Sequence, residues 1–431
     1  MILKSKSLRD TIISSFRQPW RSKMVENSKN FHINVAHDGG NDSAKEEIDF
    51  NKFIFPNVLA RVRPGGEPQR ILNEEREAVE LVLNNFIDYM DVTIQSPQIH
   101  VNGRYYVGSR AQNSGNPIIE FNVNSNEGKA TGDVGIISLL SLIAYNSVAA
   151  SYKQNSELPD LLNIQVDKMA TALPIAEYTN EQSRNLFILR FTDAKHVVII
   201  NNFENPISIN IQFNKVDVQP EGAIAQYALI GTSDIHTKYR SDGIFDDFKK
   251  ENNLKKFTGK DIYEAGLVLN IDIGGKTVDF SVMKGMSPLS QVNRSVYSGA
   301  GNALENAANA LHTSYPSVGM INRHEFLKIA SRGNDNESSA YRNFLNDQLF
   351  ELENQISEQV RAIYAQTKNQ IRFIVVSGGG SIILREHYRA ALFDVISSMS
   401  PFGAAPILWI PDKFARTLNL DGLQFRLNKM E

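Results

Sequence analysis

Leu267 to Lys284 reads LVLNIDIGGKTVDFSVMK: a buried strand, a glycine turn tipped by an acid, and a second strand. Leu267, Val268, Leu269 and Ile271 form a nearly continuous apolar run. Gly274-Gly275 breaks it, and Val278, Phe280 and Val282 alternate with polar residues on the way out. Paired glycines let the main chain turn tightly and bring its N–H groups close to an anion. Asp272 ends the first strand beside that anion, where a carboxylate can hold a hydrated Mg²⁺. Thr277 adds a hydroxyl and Asp279 a second carboxylate. An ordinary hairpin with a Gly-Gly turn fits the same letters, so this stretch alone leaves the choice open.

A second copy of the pattern lies near the start of the chain. Phe31 to Lys45, FHINVAHDGGNDSAK, is an apolar strand followed by Asp38, Gly39, Gly40, Asn41 and further small polar residues, then a lysine. Two such hairpins suggest two similar domains facing each other across one nucleotide, with Lys45 supplying a point charge to the phosphates. A third glycine turn, IVVSGGGSII at Ile374 to Ile383, follows another apolar strand. Three consecutive glycines leave room for a flat group such as a nucleoside.

These residues resemble the actin-like ATPase superfamily, which includes actin, heat-shock chaperone ATPases and sugar kinases. Asp38-Gly-Gly is similar to its first phosphate motif, Asp272 to Asp279 to its second, and Gly378-Gly379-Gly380-Ser381 to its adenosine motif. Four further segments resemble the plasmid-segregation actins of the ParM type: Gln98 to Ala111, Lys129 to Asp133, Ala170 to Tyr178, and Gln219-Pro-Glu-Gly222. The resemblance covers roughly residues 31 to 425. It implies an α/β actin-like (ribonuclease H-like) two-domain fold with a duplicated mixed β-sheet and flanking helices, and a nucleotide in the cleft between the domains. Asp38, Gly39, Gly40, Asn41, Lys45, Gly274, Gly275, Lys276, Thr277, Asn302 and Gly378 to Ser381 would bind the nucleotide. Asp38 and Asp272 would hold Mg²⁺ through water.

In ParM-type proteins the glutamate of a Pro-Glu turn faces the γ-phosphate, and Glu221 matches it. A carboxylate there can orient or deprotonate the attacking water while Asp272 and its Mg²⁺ offset the developing charge. Glu221 also fits a helix-start carboxylate favoured by the dipole. Lys276 departs from the family, where that turn position is small or hydroxylic, and either touches phosphate or points to solvent. Ser298 to Asn302 opens a helix whose glycine-rich start suits the ribose or phosphate side of a nucleotide.

Composition excludes more than it identifies. The chain has 431 residues, enough for two or more domains. Its 45 basic and 48 acidic residues leave a net charge of −3, so no global basic bias draws it to nucleic acid. With no cysteine, disulfides and cysteine-ligated metals are excluded, which fits a reducing cytoplasm. No uninterrupted apolar run reaches membrane-spanning length.

Residues 1–30 form a basic extension with Leu8, Ile12 and Phe16 at helical spacing. It fits a tail packed on the body better than a membrane or partner contact, and Met24 is a plausible natural start. Domain I is expected at 31–185, returning at 412–431, with strands near 31–36, 46–50 and 52–60 and a helix from Glu74 to Met90. Gln98 to Val107 reads as a hairpin around a type I′ Asn102-Gly103 turn. Gly132 to Ser151 reads as a buried helix, and Ile164 to Ile175 as an edge strand of the first sheet. Domain II is expected at 186–411, opening with β-rich runs at Leu186 to Asn201 and Ile207 to Val218. A polar insertion at 231–263 is expected to lie on the surface. Ala340 to Gln366 reads as a long amphipathic helix.

Together these readings imply a filament-forming ATPase that takes ATP or GTP with Mg²⁺, in the cytoplasm. By the resemblance it would move plasmid DNA through a DNA-binding adaptor on a centromere-like site. An actin-like scaffold for another cargo or a membrane is the alternative, as is a non-polymerising small-molecule kinase, although no sugar-site signature is present. A chaperone would need a substrate domain beyond Glu431, where the chain stops.

Overall fold

A computed structural model describes residues 29–121, 128–231, 238–333, 335–400 and 403–430. The basic extension therefore lies outside the described residues, apart from its last two. The first sheet contains β1 (Lys29–Gly39), β2 (Ser43–Ile48), β3 (Asn51–Pro56), β4 (Val58–Arg61), β5 (Asp91–Gln95), β6 (Gly103–Val107), β7 (Ile118–Glu120), β8 (Leu161–Leu173), β9 (His196–Ile200) and β10 (Ile207–Pro220). Its order is β3-β2-β1-β8-β10-β9-β5-β6-β4-β7. The second sheet contains β11 (Leu267–Ile273), β12 (Val278–Lys284), β13 (Ser287–Pro288), β14 (Arg294–Val296), β15 (Ile371–Ser377) and β16 (Ile407–Trp409). Its order is β13-β12-β11-β15-β16, with β14 paired to β12.

The two sheets repeat one plan. An antiparallel hairpin, β1–β2 or β11–β12, lies beside a parallel strand, β8 or β15, and that strand lies beside another parallel one, β10 or β16. The registers match at the turns: Asp38 pairs with Lys45, and Asp272 with Asp279. The fold is thus a duplicated α/β architecture of two sheets flanked by helices.

Each sheet is covered on both faces, which explains the near-continuous apolar runs. Ile33 and Val35 of β1 face a core built with α1 (Arg76–Asn84), α2 (Val134–Asn155) and α3 (Glu181–Thr192). On the other face Ala36, Ala170 and Ala172 meet α4 (Ile224–Ile230) and, near the C-terminus, Leu420, Leu423 and Leu427. Helix α2 is long and apolar enough to cross a membrane, but 78% of its most apolar window is buried inside the protein. In the second sheet Leu269, Ile271 and Ile273 face a core that includes α7 (Ala300–Ser314), α8 (Arg323–Ala330), α9 (Asn336–Gln366) and α10 (Gly379–Met399). Val268, Phe373 and Val375 face the opposite side, against α4 and the segment holding α5 (Asp246–Glu251) and α6 (Gly259–Glu264). A last helix, α11 (Leu418–Leu427), packs on α4 and β1.

Several expectations need correction. β8 is central, paired on both sides, because its alternate residues serve two cores. Leu186 to Thr192 belongs to helix α3, whose Phe187 and Phe191 are buried one turn apart. β9 and β10 extend the first sheet, so a division after residue 185 does not follow the strand pairing. The hairpin near residue 100 joins β5 to β6 through a longer loop, since Asn102 spends its amide bonding Ser96 N at 2.8 Å and Ser96 O at 3.0 Å. Residues 232–237 of the expected insertion are outside the described residues. Its remainder is not merely surface loop, because Ile244, Phe245, Phe248 and Ile262 are buried against Phe373 and Val375.

Candidate functional site

The turns of both hairpins open onto one cleft of about 400 Å³. Asp38, Gly40, Asn41 and Lys45 line it from the first sheet, and Asp272, Gly274, Gly275, Lys276 and Thr277 from the second. Asp279, Glu221, Lys129, Gly378, Gly379 and Gly380 also line it.

Local bonds fix each turn. Gly40 N donates to Asp38 O at 2.9 Å, and the Asn57 amide donates to Gly40 O at 2.8 Å. Gly274 N donates to Thr277 O at 2.9 Å. The Glu221 turn is tied to both sheets: Glu221 N donates to Leu173 O of β8 at 2.8 Å, and Ser281 Oγ of β12 donates to Gly222 O at 2.7 Å. Gly222 has φ 80°, a left-handed conformation suited to glycine, so the chain can reverse there.

The charged side chains are paired but crowded. Lys45 bonds Asp38 at 2.9 Å, and Lys129 bonds Glu221 at 2.6 Å. Asn419, from α11, donates to Asp272 at 2.7 Å. Asp279 accepts from Thr277 Oγ1 at 3.0 Å and from Ser295 Oγ. Burial pushes the Glu221 carboxyl up to about 7; Lys129 opposes this and Asp279 adds to it. Burial likewise pushes Asp272 up to about 6, against the Asn419 hydrogen bond. Asp279 is raised, mainly by burial. For Asp38, burial also acts upward, but the adjacent Lys45 ammonium outweighs it and holds the carboxyl below its usual range.

Such a cluster fits a hydrated divalent cation shared with phosphates. The donors are hard oxygens, and burial penalises their charge until a cation arrives. Among the described residues no three His, Cys, Asp or Glu side chains converge to hold a metal by themselves, so water and phosphate oxygens would complete its shell. Asn41 Oδ1, buried in the cleft without a partner among the described residues, is an acceptor awaiting a donor.

Other expected residues do different work. Gly39 lies behind its turn, against the His37 ring. Asn302 caps α7, accepting from Gly299 N at 3.3 Å, and does not line the cleft. The amides of Ala300, Gly301 and Asn302 donate to the carbonyls of Gly274 and Gly275, so this helix start holds the second turn instead of offering those amides to an anion. Ser381 is buried, its hydroxyl bonded to Gly378 O at 2.8 Å. Lys276 meets neither expectation exclusively: it lines the cleft, but its ammonium pairs with Glu120 of β7 at 2.9 Å. Of the three glycines, Gly378 has φ 91° and its missing Cβ would collide with Asp272 and Ile273, while Gly380 would collide with Ile273 and Ala300. Gly379 meets nothing closer than 3.9 Å, the one of the three facing open space.

Sequence reasoning did not assign roles to Lys129, Asn419, Arg323 and Asp42. Arg323 pairs with Asp42 at 2.6 Å, joining α8 to the first hairpin turn. Lys129 falls in a segment of recognisable resemblance and Asp42 in the first glycine hairpin, which was the available signal; Arg323 lies in no such motif. Leu304, Leu327 and Ile383 add apolar side chains to the cleft lining, which Arg416 also joins.

Residues 270–390 match the family model of the archaeal actin homologue MreB-like C-terminal domain. At the level of whole-chain sequence, no curated protein matches. Solved structures share the fold. The actin-like protein Alp7A matches with a TM-score of 0.60 and 14% identity, over 93% of this chain and 97% of that one. The archaeal actin homologue Ta0583 gives 0.58 and 13%, over 92% and 99%. Bacillus thuringiensis ParM, solved with ATP, gives 0.56 and 12%, over 92% and 98%.

Proposed function

Because this chain is an actin-like protein by fold, we propose that it binds Mg-ATP in the cleft, hydrolyses it, and assembles into filaments. The observation that carries the reading is the meeting of two acid-tipped glycine hairpins, one from each of two like sheets, with Glu221 on the turn tied to both. Lys45 and the turn amides hold the phosphates. Glu221, as carboxylate, orients the attacking water and accepts its proton as the water oxygen bonds to the γ-phosphorus and the bond to the bridging oxygen breaks. Lys129 holds that carboxylate in place. Mg²⁺, carried by Asp38 and Asp272 through water, would offset charge on the phosphoryl oxygens. The apolar side chains in the cleft lining suit a purine base, of ATP or of GTP.

Nucleotide would drive assembly by binding the closed arrangement more tightly than the open one. Head-to-tail contacts that do not close into a ring give a polymer. We further propose a cytoplasmic role in moving plasmid DNA through a DNA-binding adaptor, a reading supported by the resemblance to the plasmid-segregation actins of the ParM type. The test is to add Mg-ATP to the purified protein and follow light scattering, phosphate release and electron micrographs together. Filaments with phosphate release are expected. Absence of both signals would overturn the reading, and phosphate transfer to a small molecule without polymer would favour a kinase.

A further inference from the structure

A second, smaller cavity of about 30 Å³ lies behind the first hairpin turn, lined in part by His37, Gly39, Asn57 and Lys129. That is enough for one water, which needs roughly 10–15 Å³ and two to four polar partners. His37 Nδ1 is committed to Glu46, 2.7 and 2.8 Å from its two oxygens, and both residues are buried. In the neutral ring, an Nδ1–H donating to that carboxylate leaves Nε2 as an acceptor. Nε2 lies directly under the turn, 3.0 Å from where a Cβ on Gly39 would sit. Asn57, 3% exposed, gives its amide hydrogen to Gly40 O, while its Oδ1 is buried with no partner among the described residues. A buried acceptor left unmet is costly, so a donor is called for. Lys129 lines both this cavity and the cleft, and only one of its three donors is spent on Glu221.

We propose that the cavity holds one ordered water that donates to His37 Nε2 and Asn57 Oδ1 and accepts from Lys129, making His37 a positioning residue for hydrolysis. The inference rests on the reading of the cleft as an ATP site. His37 touches no substrate. It acts through the water on Lys129, which in turn sets the Glu221 carboxylate.

Two substitutions separate positioning from mere support. In His37→Asn the new amide can still donate to Glu46 but the Nε2 acceptor is gone. In His37→Gln an acceptor is returned near the Nε2 position and the Glu46 contact is lost. His37→Asn should keep KM for Mg-ATP and lose roughly 10- to 100-fold in kcat, the scale of a small misplacement of a reacting group. His37→Gln should recover part of that loss. Wild-type kcat in His37→Asn, or a change in KM alone, overturns the role. A high-resolution crystal structure of the nucleotide-free protein should show a water within hydrogen-bond distance of all three atoms, and an empty cavity overturns the water. A wild-type protein that turns over no ATP overturns the functional reading and this role together, while the crystallographic water is decided independently.

Discussion

Burial gives Glu221 its chemistry at the residue scale. A carboxyl pushed up to about 7 is half ionised near neutral pH, the poise that suits a general base. Hydrolysis by the wild type should rise with pH through about 7, where the carboxylate forms. Glu221→Gln should keep nucleotide binding, lose roughly 10²- to 10⁴-fold in kcat and flatten that rise; a variant with normal turnover rejects the assignment. The same shift bears on stability, with an unusual sign. A raised carboxyl pKa means that the folded state holds a proton the unfolded chain has released, between the ordinary value of 4.5 and about 7 for Glu221, and between 3.8 and about 6 for Asp272. Stability of the nucleotide-free, Mg²⁺-free protein therefore falls as pH rises through that window. The melting temperature of Glu221→Gln, minus that of the wild type, should grow from about pH 5 to about pH 8. A difference that is flat or shrinking sinks this account.

Elements differ in how legibly the chain announces them. Helix α2 is apolar around most of its circumference because it lies between the first sheet and α1, with Leu139, Leu140, Leu142 and Ile143 fully buried. Truncating Leu140 to Ala should cost about 2–5 kcal/mol in denaturant unfolding. Leu81→Ala on α1, at a side 52% exposed, should stay within about 0.5 kcal/mol. Comparable losses at both sites would contradict this packing. The same apolar pattern that exposes α2 in the sequence also reveals β1, β11 and β15, since a strand buried on both faces reads as a continuous run. What stayed hidden depends on partners distant in sequence. β8 alternates buried and half-buried residues over its first half, as a strand with one exposed face would, and only its pairing with both β1 and β10 makes it central. α3 has little one-sided patterning, so its helical character is weak in the letters. Within the site, the acid-tipped turns were legible because glycines and carboxylates cluster locally. The tie of Arg323 to Asp42 was not, because nothing local in either residue points to the other.

For the molecule as a whole, the question is what holds the two sheets together across the cleft. Among the described residues two ion pairs cross it: Lys276 with Glu120 at 2.9 Å and Arg323 with Asp42 at 2.6 Å. Arg323, Asp42 and Lys276 line the cleft, so changing them would disturb nucleotide contacts as well as closure. Glu120 does not line it and is half exposed, which makes it the cleaner probe. If assembly draws on the closed arrangement, Glu120→Gln should leave phosphate release per filament subunit intact but make closure less favourable. A partly exposed pair contributes on the order of 0.2–1 kcal/mol, so the critical concentration for Mg-ATP assembly should rise by at most about fivefold. Because salt screens such a pair, raising the ionic strength should weaken assembly of the wild type more steeply than that of Glu120→Gln. Pelleting across a salt series measures both effects. Identical critical concentrations and identical salt slopes would mean that this ion pair takes no part in the step that nucleotide controls.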